Sequence, residues 1–185
     1  ATATRPPLYH SLLEIPETQA ELDREMSVDV VDNFRRNRLQ RAGAIRSGVS
    51  SQNRIADRHP SRFGSYWISY DFRKNSGRGN VGRFPLGPEF DDHPFQDRAF
   101  EHAGSEIVFT LPNGLQGYML IERKDGVEVR IDKGPVDVVW DPNATSGSPE
   151  IVNGLSCIGC HKHGKIPFTE SLREAVAIFN TDVRL

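Results

Sequence analysis

Glu106–Leu111 (EIVFTL), Pro112-Asn113-Gly114 and Leu115–Glu122 (LQGYMLIE) decide the fold: two apolar-rich runs flank an Asn-Gly pair, which readily adopts the positive φ angles of a tight turn. The signal repeats at Asp125-Gly126 ahead of Val127–Ile131, and Val136–Trp140 follows Gly134-Pro135. The stretch 105–140 therefore predicts three or four short strands in an antiparallel meander. Upstream, Gly64–Phe72 (GSYWISYDF) is aromatic and alternating, which predicts another strand.

Residues 1–46 read as helical. Pro16 and Glu17 open a helix carrying Leu22 and Met26, and Ser27 is the expected N-cap of a second, with Val30, Val31 and Phe34 as its apolar stripe and Gly43 as its stop. Residues 47–62 lack periodicity and read as loop. Asn75–Pro94 is crowded with glycine and proline around Arg78 and Arg83, a long irregular segment. Gly77-Arg78-Gly79-Asn80 neither follows a clear strand nor opens a helix, so it is no phosphate cradle. Near the end, Thr169 is expected to cap a helix with Leu172, Val176 and Phe179 on one face. The fold expected is α+β: an antiparallel meander with N-terminal helices and a C-terminal helix, in a single domain over 1–185 that can be a fragment of a longer polypeptide.

The 185 residues suit one core, with 37% hydrophobic and 26% charged residues. No apolar run approaches the roughly 18 residues a spanning helix needs, so no membrane span is expected. A formal charge of −2 gives nucleic-acid binding no support in the total. Arg35, Arg36, Arg38, Arg41 and Arg46 cluster, but acids precede them and a solvated helix face accounts for them. Ala1 heads a short polar stretch without the charged and apolar regions of a signal peptide. Oligomeric state is not written in the sequence.

Chemistry is concentrated in Cys157-Ile158-Gly159-Cys160-His161, a CxxCH run holding both cysteines of the chain. Each thiol can add to one vinyl group of haem, and the following histidine is placed to coordinate the iron. Gly159 is expected to leave room for the macrocycle. A thioredoxin-like dithiol is the first alternative, but that motif accompanies a βαβ pattern, and here antiparallel strands precede it. A zinc site from Cys157, Cys160, His161 and His163 is the second, but its ligands are too crowded in sequence to close a tetrahedron. The expected cofactor is one haem c, attached through Cys157 and Cys160 with His161 as iron ligand, held near the C-terminal CxxCH loop.

Further runs carry a resemblance: Arg5-Pro6-Pro7-Leu8-Tyr9-His10, Gly48-Val49-Ser50, Arg58-His59, Tyr66-Trp67, Ser69-Tyr70-Asp71-Phe72, Leu111-Pro112-Asn113-Gly114-Leu115-Gln116 and Asn153-Gly154-Leu155-Ser156-Cys157. Over most of its length the chain resembles a poorly characterised family of monohaem cytochrome modules found in larger secreted bacterial proteins. That resemblance implies a periplasmic or secreted location, covalent haem and a longer parent chain. It carries no assigned reaction.

No methionine follows His161, so a second iron ligand has to come from upstream. His59, before Pro60, and His10, after Tyr9, are the histidine candidates. Met26 and Met119 read first as core residues, His93 and His102 as surface, and His163 as pointing away from the iron. A ligand from outside the chain, or none, stays open. One-electron transfer with a redox partner protein or domain is the leading function. An open-site haem protein acting on a gas or peroxide is the alternative, since a late CxxCH after an antiparallel sheet resembles the layout of β-type cytochromes c-prime. A purely structural haem is a third reading. Lys162, His163 and Lys165 form a small basic rim suited to an acidic partner.

Overall fold

Gly114 takes φ +81°, and Leu111 bonds across the turn to Gly114 (2.9 Å) and Leu115 (2.8 Å), so the Pro-Asn-Gly hairpin closes as its residues dictate. Asp125 and Gly126 both have positive φ (51° and 82°), the two-residue turn whose twist matches the flanking strands. The computed structural model describes residues 3–49, 52–167 and 169–179, so Ser50 of the Gly48-Val49-Ser50 run lies outside the described residues. Six strands form one sheet: β1 (Gln40–Ala44), β2 (Arg54–Ser61), β3 (Gly64–Asp71), β4 (Gly104–Thr110), β5 (Gln116–Lys124) and β6 (Val127–Ile131). They pair in chain order and every pairing is antiparallel, an uninterrupted meander. With the helices below, the architecture is α+β.

The sheet is longer at its N-terminal side than predicted, because β1 and β2 fall where helix and loop were expected. The physical reason lies in the inward residues of β2, which are Ile55, Asp57 and His59. Their alternation is real but mostly polar, so no period-two hydrophobic signal shows. Burial is made affordable by Arg41 of β1, whose guanidinium grips both oxygens of Asp57 (2.7 and 2.6 Å). Val136–Trp140 is a turn instead of a strand. The N–H groups of Val138 and Val139 both donate to Pro135 O, and both valines pack with Leu120 and Ile151.

Helix α1 spans Leu8–Leu12, α2 Gln19–Met26 and α3 Val30–Arg35. Thr18 starts α2 through a reciprocal capping box with Glu21, slightly later than the predicted start at Pro16-Glu17. Ser27, expected as an N-cap, closes α2 in the left-handed region (φ 55°), and Asp29 caps α3 by accepting from the Asp32 N–H (2.7 Å). Helix α4 is Leu155–Cys160 and α5 is Leu172–Phe179. The cap of α5 is Glu170, not Thr169: its carboxylate accepts from the N–H groups of Leu172 and Arg173. Leu172 and Val176 are buried as predicted, whereas Phe179 is half exposed.

The register divides the sheet into two faces. Cross-strand partners share a face, so His59, Tyr66 and Phe109 lie with Asp57, Ile68, Ile107 and Met119 on the first. Helices α2 and α3 cover it: Asp23 of α2 accepts from the Tyr66 hydroxyl (2.6 Å), and Asn33 of α3 meets His59. Tyr66, Ile68, Ile107 and Met119 are fully buried there, each stabilising the fold by roughly 1.5–3 kcal/mol. On the second face a row crosses four strands: Tyr118 of β5, Val108 of β4, Trp67 of β3 and Arg58 of β2. Helix α4 and the turn after it lie against this row.

Candidate functional site

The CxxCH run becomes a single helical turn. Cys157 and Cys160 are both in α4, three residues apart and so on one side of it, and His161 is its C-cap, with its N–H donating to Cys157 O (2.8 Å). Both thiols are free and partly buried. Cys157 packs against the main core, and its thiol is pushed well up, first by burial and then by the nearby Glu106 carboxylate. Cys160 is also raised by burial, with Asp141 adding to it and a hydrogen bond with Thr145 opposing. Thiols held protonated are the reverse of the low-pKa pair that a dithiol oxidoreductase uses.

His161 is aimed by two contacts. Its Nδ1 meets Gly164 O (3.1 Å), so Nδ1 carries the proton and Nε2 is the nitrogen left to coordinate. Its ring lies 5.7 Å from that of Tyr118, centroid to centroid. Lys165, four residues on, places its ammonium 5.4 Å from the centre of the Trp67 ring. The motif therefore fronts the second face, over Tyr118, Val108 and Trp67. Cys157, Cys160 and His161 could hold a haem: two thiols one helical turn apart, followed by an imidazole with its distal nitrogen free, form a donor set that suits it. Among the described residues, no three His, Cys, Asp or Glu side chains converge as ligands for a metal ion.

The N-terminus builds the socket for this turn. Edge strand β6 pairs only with Leu120–Lys124 of β5, which leaves the Tyr118 N–H without a strand partner. The Tyr9 hydroxyl accepts it (2.9 Å), covering the bare edge. The Tyr9 ring then presses on Gly154, the residue before α4. A Cβ at Gly154 would stand 2.6 Å from that ring, and its φ of +78° favours glycine as well. His10 pairs with the Asn153 amide (2.8 Å), and its Nδ1 faces Asp132 at 3.6 Å. Burial, more than the Arg130 charge, lowers the His10 pKa and keeps the ring neutral.

Gly159 is packed closely by a neighbouring loop. Its open side is filled by Thr145, whose Cγ2 would lie 2.2 Å from a Cβ there. Thr145 comes from a loop fixed by buried Asp141, which accepts from the N–H groups of Asn143 (2.8 Å) and Thr145 (2.7 Å). The spacer glycine thus lets this loop close over α4.

The second-ligand candidates do not gather at the motif. His59 lies on the first face, with Nδ1 3.2 Å from the Asn33 amide and Nε2 buried without a partner, so the sheet separates it from His161. Met119 and Met26 belong to the main core, Met119 on the same face as His59. His10 is close to α4 but committed to Asn153. His93, expected at the surface, is buried among Phe34, Phe90 and Phe95, with Nε2 2.8 Å from Leu86 O. The side chain of His102, also expected at the surface, is 4% exposed and stands 3.4 Å from Glu128. Both departures arise because Asn75–Ala103, though irregular, packs on the first face instead of looping into solvent.

Two features were not legible beforehand. One is the Tyr9–Tyr118 and His10–Asn153 clamp, which joins residues over a hundred positions apart. The other is the placement of Arg58 beside Trp67, which only the β2–β3 register reveals. No helix among the described residues is long and apolar enough to cross a membrane. Comparison with protein-family models, with curated proteins and with solved structures gives no match to this chain.

Proposed function

We propose that this chain is a monohaem c-type cytochrome domain, periplasmic or secreted, that carries out one-electron transfer with a redox partner protein or domain. The observation that supports it is the α4 turn: two partly buried thiols one helical turn apart, and a C-cap histidine whose Nδ1 is tied to Gly164 O. Bound there, haem supplies one electron by cycling between ferric and ferrous iron. Cys157 and Cys160 anchor it, and the Gly164 carbonyl fixes the His161 tautomer, leaving Nε2 toward the iron. Tyr118, Val108 and Trp67 give the site an apolar floor that keeps water away. The mass of the denatured protein tests the reading: it should exceed the sequence mass by one haem. The bare mass, with two titratable thiols, would overturn it.

The positions of the histidines favour a second reading, an open haem site for a small gas or for peroxide. Of the six histidines, only His161 and His163 belong to the motif and the turn that follows it; His59, His93 and His102 pack elsewhere, and His10 is held by Asn153. Spectra of the reduced protein with and without carbon monoxide separate the two. Rapid CO binding to a high-spin form means an open site. Resistance to CO means a sixth ligand, which the variants His59→Ala and His10→Ala would identify.

A further inference from the structure

Among the described residues most arginines of the sheet have acid partners: Arg41 holds Asp57, Arg54 holds Asp71 and Glu106, Arg123 faces Glu128 and Arg130 holds Glu17. Arg58 does not. It stands on the second face beside Trp67, its guanidinium reaching only the neutral Gln40 side chain (3.3 Å). Lys165 also reaches Trp67, its ammonium 5.4 Å from the ring centre, from the turn that follows His161. Neither cation has a carboxylate within ion-pair distance among the described residues. The two are close enough to repel: burial first, and then the Arg58 charge, push the Lys165 ammonium down. Placing like charges together without a counterion is unfavourable, and an anion between them reverses the sign.

The same row of the sheet runs from Tyr118, under His161, through Val108 and Trp67 to Arg58. Strands lie about 4.8 Å apart, so across an apolar floor Arg58 stands roughly 14 Å from Tyr118, and Trp67, which Lys165 covers, roughly 10 Å. A c-type haem carries its thioethers on one side and two carboxylate arms on the other. We propose that Arg58 and Lys165 are the carboxylate-binding pair that receives the propionate arms of the haem anchored at Cys157 and Cys160. The proposal rests on the haem reading above. Arg58 offers a planar fork suited to a carboxylate, and Lys165 a point charge braced on the Trp67 indole. Their function is to keep the propionates ionised and to raise the reduction potential, because positive charge beside the macrocycle favours the added electron.

The experiment uses the purified holoprotein, its mass measured first. Arg58→Gln and Lys165→Gln should keep the one-haem mass, since attachment depends on the thiols. Both should lower the midpoint potential. Both should also give that potential a pH dependence near neutrality, as propionates freed of their cations titrate higher. Arg58→Lys and Lys165→Arg should restore wild-type behaviour, and Lys162→Gln, which removes the same charge from the same turn, should bring no such pH dependence. If the glutamine variants fail to mature, redox-difference infrared spectra of the wild type still decide: propionates titrating in or above the ordinary carboxylate range overturn the proposal. Unchanged potential and pH profile with one haem in place also overturn it, as does a salt-sensitive loss of partner electron transfer alone, which assigns the pair to docking. A wild type without haem sinks the underlying reading, and its mass shows that separately.

Discussion

Gly159 and Thr145 make a test at the scale of single residues. A methyl group at Gly159 collides with Thr145 Cγ2, so Gly159→Ala should cost about 1–3 kcal/mol, the usual range for overpacking. Thr145→Ser removes the colliding carbon, and chemical denaturation of the double variant should show much of the loss recovered. His59 gives a second test. It is fully buried on the face away from His161, and Asn33 is its partner. His59→Ala should therefore leave the haem spectrum and CO response as in the wild type while lowering stability by a few kcal/mol through the cavity and the lost Asn33 contact. A spectral change without a stability loss would instead give His59 the iron-ligand role. The residue Asp23 behaves differently again. Burial beneath the sheet raises its carboxyl to about 6, opposed by the bond from Tyr66.

At the scale of elements, α2 depends on its first turn. The Thr18 side chain and Glu21 satisfy each other's backbone N–H, so Thr18→Ala should cost about 1 kcal/mol, read as a lower denaturation midpoint at unchanged slope. The effect matters beyond α2, because Asp23 of that helix accepts from Tyr66 of β3 and Met26 O accepts from the Arg62 N–H in the β2–β3 turn. Helix α4 is too short to be stable alone and is held from outside, by Tyr9 on Gly154, His10 on Asn153 and Thr145 on Gly159. Tyr9→Phe removes only the hydroxyl that caps the Tyr118 N–H. It should speed amide exchange at Tyr118 and in α4 before it affects β2 or β3.

Across the whole molecule, pH acts through groups of opposite sign. His10, His59 and His93 all have lowered pKa values, with burial the first cause in each. Their neutral forms are the ones the fold accepts. The stability they permit is fully present above the unfolded histidine value of about 6.5 and is lost as pH falls through their lower folded values. Asp23 is the reverse: its contribution is largest below the unfolded carboxylate range and is lost as pH rises through about 6. Burial raises Asp71 to about 6 as well, so it acts in the same sense as Asp23. Three histidines outweigh two aspartates in protons taken up, so the denaturation midpoint should fall between pH 6.5 and 5. In Asp23→Asn the fall over that window should be steeper, since one of the two opposing groups is gone. A flat profile there would mean that the buried histidines do not govern acid stability.

The sequence by itself determined what depends on near neighbours. The hairpins at Asn113-Gly114 and Asp125-Gly126 follow from residues that accept positive φ, the β3 strand from unbroken aromatic alternation, and the CxxCH donor order from five consecutive positions. The tertiary structure decided what depends on pairing at a distance. The strands β1 and β2 are hidden in the sequence because their inward residues are Arg41, Asp57 and His59, which become burial-competent only once Arg41 finds Asp57 and Asn33 finds His59. Which histidines share a face with His161 is set by register, where a shift of one residue moves a side chain to the other side of the sheet. No local signal carries that information, so which face each histidine joins could be read only from the folded chain.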